Sequence, residues 1–158
     1  MNNYCPGSGP IKPKIMIVGE SPTPRDLATQ KPFSDNRELD LLLHDAGITK
    51  ASCWLSYVSK LYVPPNSKTA HYKKPFHVRC EENKINLAEQ VNDLQAEINQ
   101  IKPNIIIGIG KTALTYIAGK KSLDDYRGSI LSGMGCKFIA TYNPAHLNWQ
   151  ATDAEFIG

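Results

Sequence analysis

Six basic residues, Lys50, Lys60, Lys68, Lys73, Lys74 and Arg79, fall in one thirty-residue stretch that holds no acid. Tyr57, Tyr62, His71, Tyr72 and Phe76 are interleaved with them. Cations at that density suit a phosphate backbone, and rings between them suit stacking on bases. A solvated loop with incidental lysines would have the same composition, so the stretch alone decides nothing. A second group, Gly108-Ile-Gly-Lys-Thr-Ala113, imitates nucleotide-binding loops. A P-loop needs a glycine five residues before Gly110, where Ile105 stands. The dinucleotide reading needs an acid after a second strand, and the nearby Asp124 and Asp125 follow no strand-like run. Glycines that let a strand turn tightly into a helix account for the motif better. His44, His71, His77 and His146 have no metal-ligand spacing, so no metal site is expected.

Composition bounds the rest. A chain of 158 residues, 41% hydrophobic and 21% charged, fits one soluble globular domain over 1–158, with an irregular arm over 1–12 rich in Gly, Pro and Asn. The net charge of +3 does not by itself announce a nucleic-acid binder. Cys5, Cys53, Cys80 and Cys136 are scattered without a Cys-x-x-Cys pair, which argues against a zinc ribbon or a disulfide framework. No apolar run approaches the ~18 residues of a membrane span. The expected location is intracellular and reducing, in cytoplasm or nucleoid.

These residues need elements to position them. Lys14–Gly19, Ser52–Ser59, Asn104–Ile109 and Lys137–Tyr142 are short, β-branched runs and are predicted strands. Ile15-Met-Ile-Val18 and Ile105-Ile-Ile107 are continuous rather than alternating, as in strands covered on both faces of a parallel sheet. Helical spacing predicts helices over Asn36–Ala46, Glu81–Ile101 and Thr112–Ala118. The alternation implies a three-layer α/β/α sandwich around a mostly parallel four-stranded sheet. Ligands gather at the carboxyl ends of such strands, here Gly19-Glu-Ser-Pro, Tyr57–Lys60, Gly108-Ile-Gly and Tyr142-Asn-Pro.

Gly19-Glu-Ser-Pro-Thr-Pro-Arg-Asp26 followed by Lys31-Pro-Phe33 resembles the first motif of the uracil-DNA glycosylase superfamily. It is closest to the family 4 pattern, Gly-Glu-Ala-Pro-Gly-x-x-Glu and then Arg-Pro-Phe. The likeness continues through Leu39–Leu43, Ala46-Gly47-Ile48, Pro64-Pro65-Asn66, Ile101-Lys-Pro103 and Ile105–Gly110 with Ala113. It closes on Thr141-Tyr-Asn-Pro-Ala-His-Leu147, where family 4 has Thr-x-His-Pro-Ser. Four positions depart: Asn143 stands for the closing His, Ser56 or Tyr57 for the Asn that reads the uracil edge, and Thr23 for a Gly. The fourth departure is in the four cysteines that hold a [4Fe-4S] cluster in family 4. Only Cys5 and Cys80 have counterparts, the third falling near Leu61 or Tyr62, so no cluster is expected.

What the resemblance implies is a base flipped out of DNA and a glycosidic bond broken. The sugar becomes cationic while uracil gains negative charge, which calls for a carboxylate at one end and a donor at the other. Glu20 is the implied carboxylate, and Asp26 matches the second acidic position. Asn143 is the implied donor to uracil O2, weaker than a histidine because it cannot become cationic. Phe33 is the implied stacking residue, with Ser56 and Tyr57 at the base edge and Leu147 as the wedge filling the vacated stack. Ser21, Pro22, Ser59, Lys60 and His146 are the implied contacts to the phosphate backbone. Each also has a plainer reading: turn residues for Glu20 and Asn143, a helix-start charge for Asp26, core side chains for Phe33 and Leu147.

Three functions remain open on the residues. The first is a monofunctional glycosylase releasing uracil from single- or double-stranded DNA, without metal or nucleotide cofactor. The second is an inactive module of the same fold that binds DNA or a replication partner, favoured by Asn143 and Tyr57. The third is an enzyme for another modified base, because a bulky Tyr57 changes the edge-reading pocket. The chain also resembles glycosylase-like domains fused to bacteriophage-type DNA polymerases, which implies a virus-encoded origin and an associated polymerase.

Overall fold

A computed structural model describes residues 2–142. β1 (Ile15–Gly19) lies inside a sheet of order β2-β1-β3-β5-β4, where β2 is Trp54–Tyr57, β3 Ile105–Ile109, β4 Ile130–Gly133 and β5 Cys136–Thr141. β1, β2, β3 and β5 run parallel, and β4 is an antiparallel edge strand. The sheet therefore has five strands rather than the expected four. β4 and β5 are joined by a two-residue turn at Met134 and Gly135, both at positive φ (51° and 82°), the conformation that matches the twist of a tight hairpin.

Met16, Ile17 and Val18 are fully buried, because helices cover both faces of β1. On one face Met16, Val18 and Ile106 pack with Leu94 and Ile98 of α4 (Leu87–Ile101) and Ala113 and Leu114 of α5 (Lys111–Ala118). On the other, Ile17, Leu55 and Ile109 pack with Leu39 and Leu43 of α2 (Arg37–Asp45). The three-layer α/β/α arrangement follows. A short α1 (Pro24–Thr29) precedes α2, and α6 (Leu123–Tyr126) follows α5.

The helix expected over Glu81–Ile101 is two helices, α3 (Phe76–Glu82) and α4. Lys84 takes φ 58°, and Asn86 caps α4 by accepting from Glu89 N–H at 3.1 Å. Ile85 keeps the apolar phase across the break, so periodicity alone does not reveal it. The arm is also ordered. Tyr4 bridges Leu61, and Ser8 bridges Leu55, both antiparallel, so it covers the free edge of β2.

Candidate active site

The strand registers pair Gly19 with Tyr57, Val18 with Gly108, and Ile109 with Thr141, which brings four strand ends to one rim. β1 and β3 are neighbours whose chains leave in opposite directions across the sheet, the switch point at which α/β sheets form a crevice. There a cavity of about 1050 Å³ opens, lined by Glu20, Ser21, Phe33, Tyr57, Arg79 and Thr112 among others.

Glu20 follows β1 directly, and its side chain is 36% exposed, enough to meet a ligand. Its Oε1 lies 2.7 Å from Nη2 of Arg79 on α3, and its Oε2 accepts from the Thr112 hydroxyl on α5. Arg79 Nη1 donates to the Pro64 carbonyl at 3.1 Å, and the guanidinium sits 5.3 Å over the Phe76 ring. Gly110 caps α5 at φ 90°, the conformation that turns β3 into the helix and delivers Thr112.

Asp26 begins differently. Thr23 and Asp26 form a capping box for α1, with Pro24 in its first turn. The Asp26 carboxylate, 1% exposed, accepts from Thr23 N–H (3.1 Å), Ser34 N–H (3.0 Å), Ser34 Oγ (2.9 Å) and the Tyr57 hydroxyl. A carboxylate has about four acceptor sites, and protein donors fill them all. Tyr57 in turn accepts the Phe33 N–H at 2.9 Å, and its ring lies 4.8 Å from the Phe33 ring, tilted by 32°. Burial, and then the Asp26 carboxylate, push the Tyr57 phenol above its ordinary value. Gly19 admits this packing, since a Cβ there would stand 2.9 Å from Phe33 Cζ and 3.1 Å from Tyr57 Cε1. Phe33 itself has φ 52°, a strained conformation held by Tyr57 on its N–H and by Lys50 Nζ on its carbonyl at 2.6 Å.

Both Glu20, anchored at a strand end, and Phe33, locked against Tyr57, line the crevice at the switch point. Residues 6–157 match the family model described as "Uracil DNA glycosylase superfamily". The chain belongs to that superfamily. A type-4 uracil-DNA glycosylase of Thermotoga maritima is 30% identical over 150 residues, covering 92% of this chain and 71% of that protein. Type-4 uracil-DNA glycosylases of Pyrobaculum aerophilum (27% over 154 residues, 90% and 72% covered) and Archaeoglobus fulgidus (26% over 155, 90% and 71%) are similar too.

Within this superfamily frame, the structure brings Glu20, Ser21, Pro22, Asp26, Phe33 and Tyr57 to the cavity and turns Ser56, Ser59 and Lys60 away. Ser56 is fully buried on the α4 side, donating to Glu97 at 2.8 Å, because alternate residues of β2 face opposite layers. It cannot reach a base in the cavity. Ser59 is likewise buried, closing a turn on Leu61 through Oγ to carbonyl at 2.9 Å. Lys60 is buried with Nζ 2.8 Å from Glu97 Oε1, near enough for an ion pair though not aligned for a hydrogen bond. Neither is available to a phosphate. Pro22 lines the cavity and is buried. Asp26 lines the cavity with its carboxylate saturated by protein donors. Asn143, His146 and Leu147 lie outside the described residues.

Among the cavity-lining residues that the sequence does not single out for the site are Arg79, Thr112 and Lys111. Thr112 and Lys111 sit in the Gly110-Lys-Thr segment that imitates a nucleotide loop, and the strand-end rule that selects Glu20 also covers them. Arg79 stands among the basic residues, and nothing local marks it as the partner of Glu20, 59 residues away.

The cysteines do not fit the four-cysteine cluster implied by the resemblance. Cys5 and Cys80 are both buried as free thiols. Leu61 and Tyr62 offer no thiolate at the third position. Among the described residues, no three His, Cys, Asp or Glu side chains form a metal-holding group. Nor is any described helix long and apolar enough to cross a membrane.

Proposed function

We propose that the chain is a monofunctional DNA glycosylase that flips deoxyuridine out of single- or double-stranded DNA and hydrolyses its N-glycosidic bond. The observation that carries this reading is Glu20, a partly exposed carboxylate with both oxygens anchored at the mouth of the switch-point cavity. As the bond between C1′ and uracil N1 breaks, uracil leaves with the electron pair and the sugar becomes cationic. Glu20 stabilises that cation and orients the water whose oxygen bonds to C1′, its proton passing to solvent. Asn143 donates to uracil O2 as charge builds there. The names of the type-4 relatives support uracil as the base. The donor set supports a fold that needs no iron–sulfur cluster.

A second reading, a DNA-binding module without activity, is favoured by Tyr57. Its ring lies against Phe33, and its hydroxyl is committed to Asp26 and Phe33, so it offers no donor to uracil O4. Labelled uracil-containing and uracil-free oligonucleotides, incubated with excess protein and then treated with alkali, separate the two. Cleavage confined to uracil positions supports the enzyme, and DNA binding without cleavage supports the module.

A further inference from the structure

We infer that Arg79 is a positioning residue for Glu20: it fixes where the carboxylate points in the cavity. This rests on the glycosylase reading of the site. Glu20 has three side-chain torsions to fix, and its side chain is 36% exposed. A pair of donors holds its carboxylate, Arg79 Nη2 on Oε1 at 2.7 Å and the Thr112 hydroxyl on Oε2. Arg79 is itself held, 11% exposed, by the Pro64 carbonyl at 3.1 Å and by the Phe76 ring at 5.3 Å. The guanidinium therefore ties three walls of one cavity together: the end of β1, the 64–66 segment, and α3. Each carboxylate oxygen accepts one protein donor and keeps a lone pair free for water or the sugar. An ion pair serving stability alone could lie anywhere on the surface; this one fixes the group that faces the ligand.

Freeing Glu20 spreads it over several rotamers, of which one faces the sugar productively. The test is a double-mutant cycle on single-turnover uracil release, with wild type, Arg79→Gln, Glu20→Gln and the double variant. Arg79→Gln is expected to lower the saturating rate constant roughly tenfold or more. The protein concentration for half-maximal rate should stay within about twofold, since a buried guanidinium does not hold the phosphates. In the Glu20→Gln background, Arg79→Gln should cost no further rate. Arg79→Lys should recover part of the loss, since its ammonium can reach Oε1 but lacks the fork that serves Oε1 and the Pro64 carbonyl from two nitrogens. Thr112→Val, close in shape, removes the other anchor and should show the same dependence on Glu20. Loss by the same factor with and without the Glu20 charge, or no loss in either anchor variant, overturns the role of Arg79 while the glycosylase reading stands. A wild-type protein that releases no uracil overturns the glycosylase reading and this role with it.

Discussion

The Tyr57 hydroxyl accepts the Phe33 N–H at 2.9 Å and donates to the Asp26 carboxylate, so one phenol holds both the strained Phe33 backbone and a buried acid. Tyr57→Phe leaves both partners buried without it. The orphaned Phe33 N–H costs about 1–3 kcal/mol, and Asp26 loses one of four donors, so unfolding in denaturant should show a loss in that range or above, with an unchanged m-value. A loss under about 0.5 kcal/mol would mean that the three groups are not coupled.

The same phenol makes stability depend on alkaline pH. Its folded value lies above the ordinary 10.0, so its contribution is complete below pH 10 and is lost as pH rises through the folded value. In that window the native state holds a proton that the unfolded state has released, and stability falls. Unfolding followed from about pH 9 upward should fall more steeply for wild type than for Tyr57→Phe. Parallel curves would remove Tyr57 as the cause.

DNA binding should be salt-sensitive through exposed lysines at the cavity mouth, Lys111 and Lys121, and not through Lys60. Removing a lysine that neutralises one phosphate should flatten the log–log salt dependence by about 0.9 on duplex DNA. Lys60→Ala should leave the slope alone and cost about 1–3 kcal/mol in stability, because it removes the cation beside the part-buried Glu97 carboxylate, which keeps its bonds from Trp54 and Ser56. A flattened slope in Lys60→Ala would put that lysine back on the DNA path.

Purified protein should be colourless and should fold without iron, since two buried thiols cannot replace four cysteine ligands. Cys80→Ser should keep the far-ultraviolet circular dichroism of wild type. Stoichiometric iron and sulfide in a brown preparation would contradict this.

Part of this architecture is legible in the sequence, and the reasons are local. Continuous apolar runs mark β1 and β3 because both faces of an inner parallel strand are covered, and the strand-end rule then selects Glu20. β4 is not legible: most of its residues are exposed or half-buried at an edge, and its turn carries Met134 where Asn or Asp usually signals a tight hairpin. The capping box that starts α1 is written in Thr23-Pro-Arg-Asp26, but the match of Asp26 to a family motif points to chemistry instead. Ser56 and Tyr57 are interchangeable in sequence; only the pleat decides that Tyr57 faces the cavity and Ser56 faces α4. Arg79 illustrates the remaining limit. Its bond to Glu20 depends on how α3 docks, which no window of sequence contains.

The central claim is that Glu20 stabilises the breaking bond, and single-turnover uracil release by wild type and Glu20→Gln tests it most directly. The substitution keeps the shape and removes the charge. The account predicts uracil release by wild type and a loss of order ~10²-fold or more in Glu20→Gln, with DNA affinity nearly unchanged. Equal rates in the two proteins, or no release by wild type with excess protein and days of incubation, would contradict it.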